Sequence, residues 1–430
     1  MEVLVVGAGK MGLPLACQVA DSGASVTVCD INPAVVSLIN SGVPPFCEPH
    51  LGEYLHRNLS AGRLKASTQT AQAATQAHVI IIIVPALLTP DKEIDYTNLK
   101  HASLAVSQGL RQESLVLYET TIPVGGCRTE LIPILEKSGL KVGKDFDLAF
   151  SPERVKSGHV FDRLKNTPKI VGGFNEESAK RAEAFYNRYL GTEIINVGSI
   201  EAAEFAKLIG MLYRDVNIGL VNELAAFSEL VGLNLNEVIH AANTDPETNL
   251  LTPGIGVGGH CTPVYPYFFI RQAGRLGVPH TLAEHARRVN EKQPETQIRR
   301  VLRILGSLSG QRAHIMGLAF RPSVKEVSYS PAFAIRDELL RHCASVTLED
   351  PMFTADELIR YGFESSSVAD AGARLVILNT AHPEFEAPDF RLWASKGVKA
   401  ILDGRNFWDR EQIETAGIFY FGIGNGATRR

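Results

Sequence analysis

Short runs of β-branched residues alternate with stretches of helical period through the first half of the chain. "EVLVVGAG" is the first strand, "MGLPLACQVADSG" a helix ending on Gly23, and "ASVTVCDIN" a second strand. "HVIIIIVP", "SLVLYETTIP", "FDLAFSPE" and "TPKIVGG" follow as further strands. Such alternation predicts a parallel, doubly wound sheet. From Ser199 the apolar spacing changes to the helical period, with a long helix over "SIEAAEFAKLIGMLYRDVNIGLVNELAAFSELVG". A second long helical stretch runs to about Leu305. Strands return from Gln311 with "AHIMGLAF", "SVTLEDP", "ARLVILNT" and "VKAILDG". The pattern predicts three parts: an α/β domain over 1–198, a helical segment over 199–305 and a second α/β domain over 306–430. The tail "GNGATRR" is expected to be disordered.

Composition changes this picture little. At 430 residues the chain has room for two or three cores, and a net charge of -4 gives no footprint for nucleic acid. The apolar run "HVIIIIVP" is too short to span a bilayer, and with a strand at its opening no signal peptide is expected. The six cysteines (17, 29, 47, 127, 261, 343) form no CxxC pair and no disulfide framework, so thiols in a cytoplasmic protein are expected. No membrane partner and no bound metal are expected.

Gly7, Gly9 and Gly12 stand at GxGxxG spacing between a strand and a helix. The first glycine makes the turn, the second admits a pyrophosphate and the third packs helix on strand. The next strand ends at Asp30, whose carboxylate suits both ribose hydroxyls and repels a 2′-phosphate, so NAD is expected over NADP. A plain turn is the bland alternative, and a flavin is less consistent with the rest of the chain.

Three further segments place polar residues where a simple core would not. "YETTIPVGG" ends a strand at Thr120 and Thr121, and "SPERVKSG" presents Glu153, Arg154 and Lys156 in the same way. On the long helix Glu204, Lys207, Met211, Arg214 and Ile218 share one face by their spacing, flanked by Phe205, Leu208 and Leu212 as core-facing positions. A lysine on a helix is usually a solvated charge, so partial burial of Lys207 is a hypothesis. In "GIGVGGHCTPVYPYFF" the glycines imply a close approach to the backbone around Cys261. Cys261 is either a small buried side chain or a nucleophile for aldehyde oxidation.

Together "GAGKMGLPLA", "TTIPVGG", "SPERVKSG", "EFAKLIGMLYRDVNIGLVNELA", "GVGGHCTPVYPYF", "GLAFRPSVKEVSYSPA" and "LDGRNF" resemble the successive motifs of nucleotide-sugar 6-dehydrogenases, the UDP-glucose/GDP-mannose dehydrogenase family. The motifs fall in order over nearly the whole chain. "SPERV" and "YRDVNI" are similar to the branch acting on UDP-N-acetylglucosamine or UDP-N-acetylmannosamine. The resemblance implies two Rossmann-like domains joined by a central helical segment that makes a homodimer. It implies a four-electron oxidation of the sugar C6 alcohol to a carboxylate with two NAD. By the match, Cys261 is the nucleophile, Lys207 the oxyanion stabiliser or base, and Glu153 with Thr121 assists proton transfer and the hydrolytic water. NAD would meet the glycine loop, Lys10, Met11, Asp30, Pro85 and Thr121. Arg154, Val155, Lys207, Met211, Arg214, Gly258, Phe320, Arg321 and Arg405 match positions that hold the nucleotide sugar, with the glycines letting backbone wrap the sugar.

Six positions depart from the family pattern. Met211 stands for a common Asn, Asp245 for His, Glu247 for Arg, Tyr265 for an acid, Phe320 for Tyr and Ser328 for Arg. They leave open UDP-glucose or an unusual sugar as substrate. A two-electron β-hydroxyacid dehydrogenase shares the first glycine loop but needs neither Cys261 nor a second α/β domain. A degenerate NAD-binding regulator is the non-enzyme alternative.

Overall fold

The computed structural model describes residues 1–342 and 344–426. Cys343 and the end of the expected disordered tail, 427–430, lie outside the described residues. The start of that tail differs from expectation. Gly424 donates its N–H to the Glu229 carboxylate at 2.9 Å, and Gly426 donates to the Leu233 carbonyl at 2.9 Å. The chain forms two compact units, Met1–Gly210 with Tyr267–Gln272, and Met211–Pro266 with the residues from Ala273 onward. The segment read as a separate helical part, 199–305, is thus shared between them.

The first unit holds an eight-stranded sheet of β1 (Glu2–Val6), β2 (Ser25–Cys29), β3 (Leu64–Ser67), β4 (Val79–Ile82), β5 (Leu115–Tyr118), β6 (Asp147–Phe150), β7 (Lys169–Gly173) and β8 (Ile194–Asn196). Their spatial order is β8-β7-β6-β5-β4-β1-β2-β3. All neighbours are parallel except β6 and β7, which run antiparallel, an exception that the strand and helix alternation does not reveal. Every residue of β4 and β5 is buried, which explains their unbroken apolar sequence. The order reverses between β1 and β4, and the crevice beyond their carboxyl ends is where open α/β sheets take ligands.

The second unit holds a six-stranded parallel sheet of β9 (Arg312–Met316), β10 (Ser345–Glu349), β11 (Glu364–Ser365), β12 (Leu375–Leu378), β13 (Ala400–Asp403) and β14 (Phe419–Gly422). The order is β11-β10-β9-β12-β13-β14. It is again doubly wound, so both α/β readings hold.

The helix Ile200–Val231, 32 residues long, begins in the first unit and continues from Met211 in the second. Within the second unit Asp215, Asn217 and Asn222 on it are buried and linked in a chain of hydrogen bonds. Arg287 pairs with Asp215 at 2.6 Å, with side chains 3 % and 0 % exposed. Asn290 donates to Asp215 at 2.8 Å, and Asn222 donates to Asn290 at 2.9 Å. Asn222 and Asn217 then accept the backbone N–H groups of Gly254 and Leu251, at 3.0 and 2.8 Å. The network anchors the approach to the glycine-rich segment. Asp215→Ala strands the buried Arg287 charge. We expect a loss of roughly 3–5 kcal/mol by chemical denaturation, and a loss below about 1 kcal/mol would contradict this role.

Candidate active site

In the first unit the glycine loop behaves as its spacing predicts. Gly7 has φ +111°, and a Cβ there would lie 3.0 Å from the Ile83 carbonyl oxygen. A Cβ on Gly12 would lie 1.9 Å from the Gly7 carbonyl oxygen, so the helix Gly12–Asp21 packs directly on the turn. Gly9 differs: a Cβ there would meet nothing within 4 Å. This position has open space beside it, at a helix N-terminus that no side chain caps. Asp30 accepts the N–H of Ala8 and of Asn32, each at 2.9 Å, which holds its carboxylate beside the loop. Lys10 and Met11 are half-buried, and Pro85 is exposed just beyond the end of β4. An open approach, a helix N-terminus without a side-chain cap and an anchored carboxylate fit a dinucleotide.

Two loops leave the carboxyl ends of β5 and β6, and the helix Ile200–Val231 secures both. In the first, Thr121 is 3 % exposed and Thr120 donates its hydroxyl to the Val84 carbonyl at 2.9 Å. Glu204 accepts the N–H of Gly125 at 2.5 Å and of Cys127 at 2.9 Å. In the second loop, the Lys207 ammonium donates to the Glu153 carbonyl oxygen at 2.5 Å. Glu48 holds the far end of that loop, accepting the N–H of Gly158 at 2.7 Å and of Val160 at 2.9 Å. Lys207 is 8 % exposed, so it is not the solvated charge that a lone helical lysine usually is.

Burial pushes the Glu153 carboxyl up from its ordinary range, against the pull of Lys207 and Lys169. Lys169 in turn is ion-paired with Glu119, which also accepts the Tyr186 hydroxyl at 2.7 Å. Burial likewise pushes Glu204 up to about 8, although its two backbone donors favour the charged form. Val155 donates its N–H to the Glu153 side chain, and the Arg154 guanidinium donates to the Pro168 carbonyl.

In the second unit Cys261 carries a thiol rather than a disulfide, as do Cys17, Cys29, Cys47 and Cys127. It is half-buried, and its carbonyl oxygen accepts the Tyr265 N–H at 2.9 Å at the head of the helix Tyr265–Leu276. The glycines before it lie close to other parts of the second unit. A Cβ on Gly254 would lie 2.8 Å from the Arg405 guanidinium, and one on Gly256 2.9 Å from Pro331. On Gly258 it would lie 2.6 Å from the Phe320 Cβ. These glycines admit other parts of the same unit, because the loop lies flat against the segment 320–331 and Arg405.

His260 adds a side-chain latch, contacting the Glu326 carboxylate and the Ser328 hydroxyl, the latter at 2.9 Å. Ser328, a departure from the family pattern, therefore bonds the residue next to Cys261. Arg405 donates to the Asn379 carbonyl at 2.6 Å, and burial lowers its pKa to about 10. The Arg321 guanidinium lies 5.5 Å from the Phe320 ring centroid.

Several helical positions fall otherwise than their spacing suggests. Phe205, expected in the core, is 39 % exposed, whereas Leu208 is buried and Leu212 half-buried. Arg214 is exposed and Met211 half-buried, so the shared face grades from buried at Glu204 to open at Arg214. Asp245 and Glu247 are exposed and Tyr265 half-buried. Nothing in the structure explains Met211 in place of Asn. The clamps made by Glu48 and Glu204 escaped the motif reading, since an isolated Glu carries no sequence sign that two distant amides will converge on it.

Comparison with known proteins agrees with this arrangement. The NAD binding domain of the UDP-glucose/GDP-mannose dehydrogenase family matches residues 1–190, its central domain 201–292 and its UDP binding domain 314–410. The chain is 33% identical over 435 residues to the UDP-N-acetyl-D-mannosamine dehydrogenase of Pyrococcus horikoshii, covering 99% of this chain and 100% of that one. It is 29% identical to the UDP-N-acetyl-D-glucosamine 6-dehydrogenase of Pseudomonas aeruginosa, over 90% of this chain and 92% of that one. The solved structure of the Pyrococcus horikoshii enzyme superposes with a TM-score of 0.91 at 32% identity, covering 99% of this chain and 100% of that one. With its glycine loop, acidic strand end and two α/β sheets, the chain belongs to the UDP-glucose/GDP-mannose dehydrogenase family and is an NAD-dependent nucleotide-sugar dehydrogenase.

Proposed function

We propose that the chain oxidises the C6 alcohol of UDP-N-acetylglucosamine or UDP-N-acetylmannosamine to a carboxylate, through a thioester on Cys261. The observation that carries the reading is the setting of Cys261: a half-buried thiol at a helix head, on a loop locked in place by the glycine contacts and the His260 latch. Such bracing suits a nucleophile, which needs a fixed line of attack. Bound NAD supplies the hydride acceptor for each of the two oxidations.

One hydride leaves to the acceptor and the alcohol proton passes to water, assisted by Glu153 and Thr121, giving the C6 aldehyde. The Cys261 thiolate adds to the aldehyde carbon, and the new oxyanion is stabilised by the Lys207 ammonium. Loss of the second hydride from this thiohemiacetal leaves the thioester. Water attacks the thioester carbonyl, with Glu153 taking its proton and Thr121 orienting it, and the thiolate departs as the acid forms. The raised pKa of Glu153 supports a role in moving protons. Arg154, Val155, Arg214, Gly258, Phe320, Arg321 and Arg405 bind the nucleotide sugar in this reading.

The reading includes a homodimer in the cytoplasm. Supporting the dimer, Phe205, Ile209, Tyr213, Leu220, Phe227 and Leu230 are exposed apolar positions along one helix, a pattern that single chains rarely leave to water. Among the described residues no helix is long and apolar enough to cross a membrane.

Incubation with NAD and a panel of nucleotide sugars is expected to give two NADH per sugar and an acid. One NADH and a ketone would instead support the two-electron reading, and tight NAD binding without turnover the regulator. Cys261→Ser is expected to abolish acid formation, and undiminished four-electron turnover by this variant would rule out the thioester. Asp30→Ala removes the charged acceptor, and titration is expected to show NAD binding weakened by about 1.5–3 kcal/mol, roughly 10–100-fold, with NADP gaining relative to NAD. An unchanged NAD to NADP preference would place the ribose elsewhere.

A further inference from the structure

Glu204 has no assigned part in the chemistry, yet it sits between two groups that do. Its side chain is almost wholly enclosed, and the residue is 1 % exposed. The two carboxylate oxygens are used separately: Oε2 accepts from Gly125 at 2.5 Å and Oε1 from Cys127 at 2.9 Å. The turn they hold has little freedom of its own. Gly125 is at φ +82°, and a Cβ on Gly126 would lie 2.6 Å from the Tyr96 hydroxyl. Thr121 stands ahead of this turn, three residues after β5 ends at Tyr118.

Lys207 lies three residues further along the same helix, a rise of about 4.5 Å. It reaches the other loop through the Glu153 carbonyl. A slip of the turn relative to the helix would therefore move Thr121 relative to Lys207. The charged neighbour Glu201 is occupied elsewhere, paired with Arg128 at 2.7 Å.

We propose that Glu204 is a positioning residue, whose carboxylate sets the turn bearing Thr121 in register with the helix bearing Lys207. The inference rests on the roles proposed for Lys207 and Thr121. An amide cannot replace this carboxylate, because its NH₂ faces one of the two backbone N–H groups donor to donor. Asp falls short by one methylene and cannot reach both amides. The backbone of the helix is unaffected by either change.

The test is Glu204→Gln, with Glu204→Asp beside it in case the first variant folds poorly. Steady-state kinetics on the nucleotide sugar are expected to show kcat lowered about 10–100-fold, with KM for sugar and for NAD within about twofold. Hydrogen exchange without substrate is expected to quicken over residues 121–131 and nowhere else. Unchanged kcat in both variants overturns the proposal. So does a loss of kcat accompanied by raised KM and a lowered Tm, which is what a general structural role predicts. If the wild-type chain turns over no nucleotide sugar, the functional reading fails by itself. Exchange then decides the clamp, and unchanged exchange over 121–131 overturns it.

Discussion

The burial of two ionisable side chains one turn apart on a single helix governs the first unit. Glu204 and Lys207 are 1 % and 8 % exposed, and neither satisfies the other. Each instead spends its hydrogen bonds on a different loop, Glu204 on the turn after β5 and Lys207 on the loop after β6. A buried charge is costly unless it is hydrogen-bonded, so these contacts are obligatory rather than incidental. The consequence is that two irregular segments, otherwise the least fixed parts of an α/β sheet, take their positions from a rigid element. Glu48 repeats the device at the far end of the second loop.

The second unit solves the same problem with small residues and amides. Its nucleophile candidate stands on irregular backbone, and such backbone is held only if its N–H groups find partners. Asn222 takes the N–H of Gly254, the Gly404 carbonyl takes that of Ile255 at 3.0 Å, and the Ser328 carbonyl takes that of Gly259 at 2.8 Å. The missing side chains at Gly254, Gly256 and Gly258 let the loop approach Arg405, Pro331 and Phe320 closely enough for this. Polar anchoring within the helical part continues the chain through Asn290 to the buried Asp215–Arg287 pair.

These arrangements account for the departures from the family pattern unevenly. Ser328 keeps a defined contact through His260. Phe320 lies under the glycine loop, where its Cβ leaves no room for a side chain at Gly258. Asp245 and Glu247 are exposed, so the charge reversal at 247 costs the fold little.

Much of the architecture was legible before any coordinates. Apolar runs too uniform for a half-exposed sheet, interleaved with helical periods, required parallel strands with helices on both faces. The GxGxxG spacing followed by Asp30 required a turn with an anchored acid, because only glycine tolerates the φ of Gly7 and the contact at Gly12. Motif order required the family. Other features were decided only by the tertiary structure: the antiparallel β7, the exposure of Phe205, the clamps of Glu48 and Glu204, and the protein neighbours packed beside the Cys261 glycines. Each depends on a partner far away in the chain. Periodicity and spacing report the local backbone and which face of it is apolar, whereas the meeting of a carboxylate with two amides some eighty residues earlier is set by packing alone.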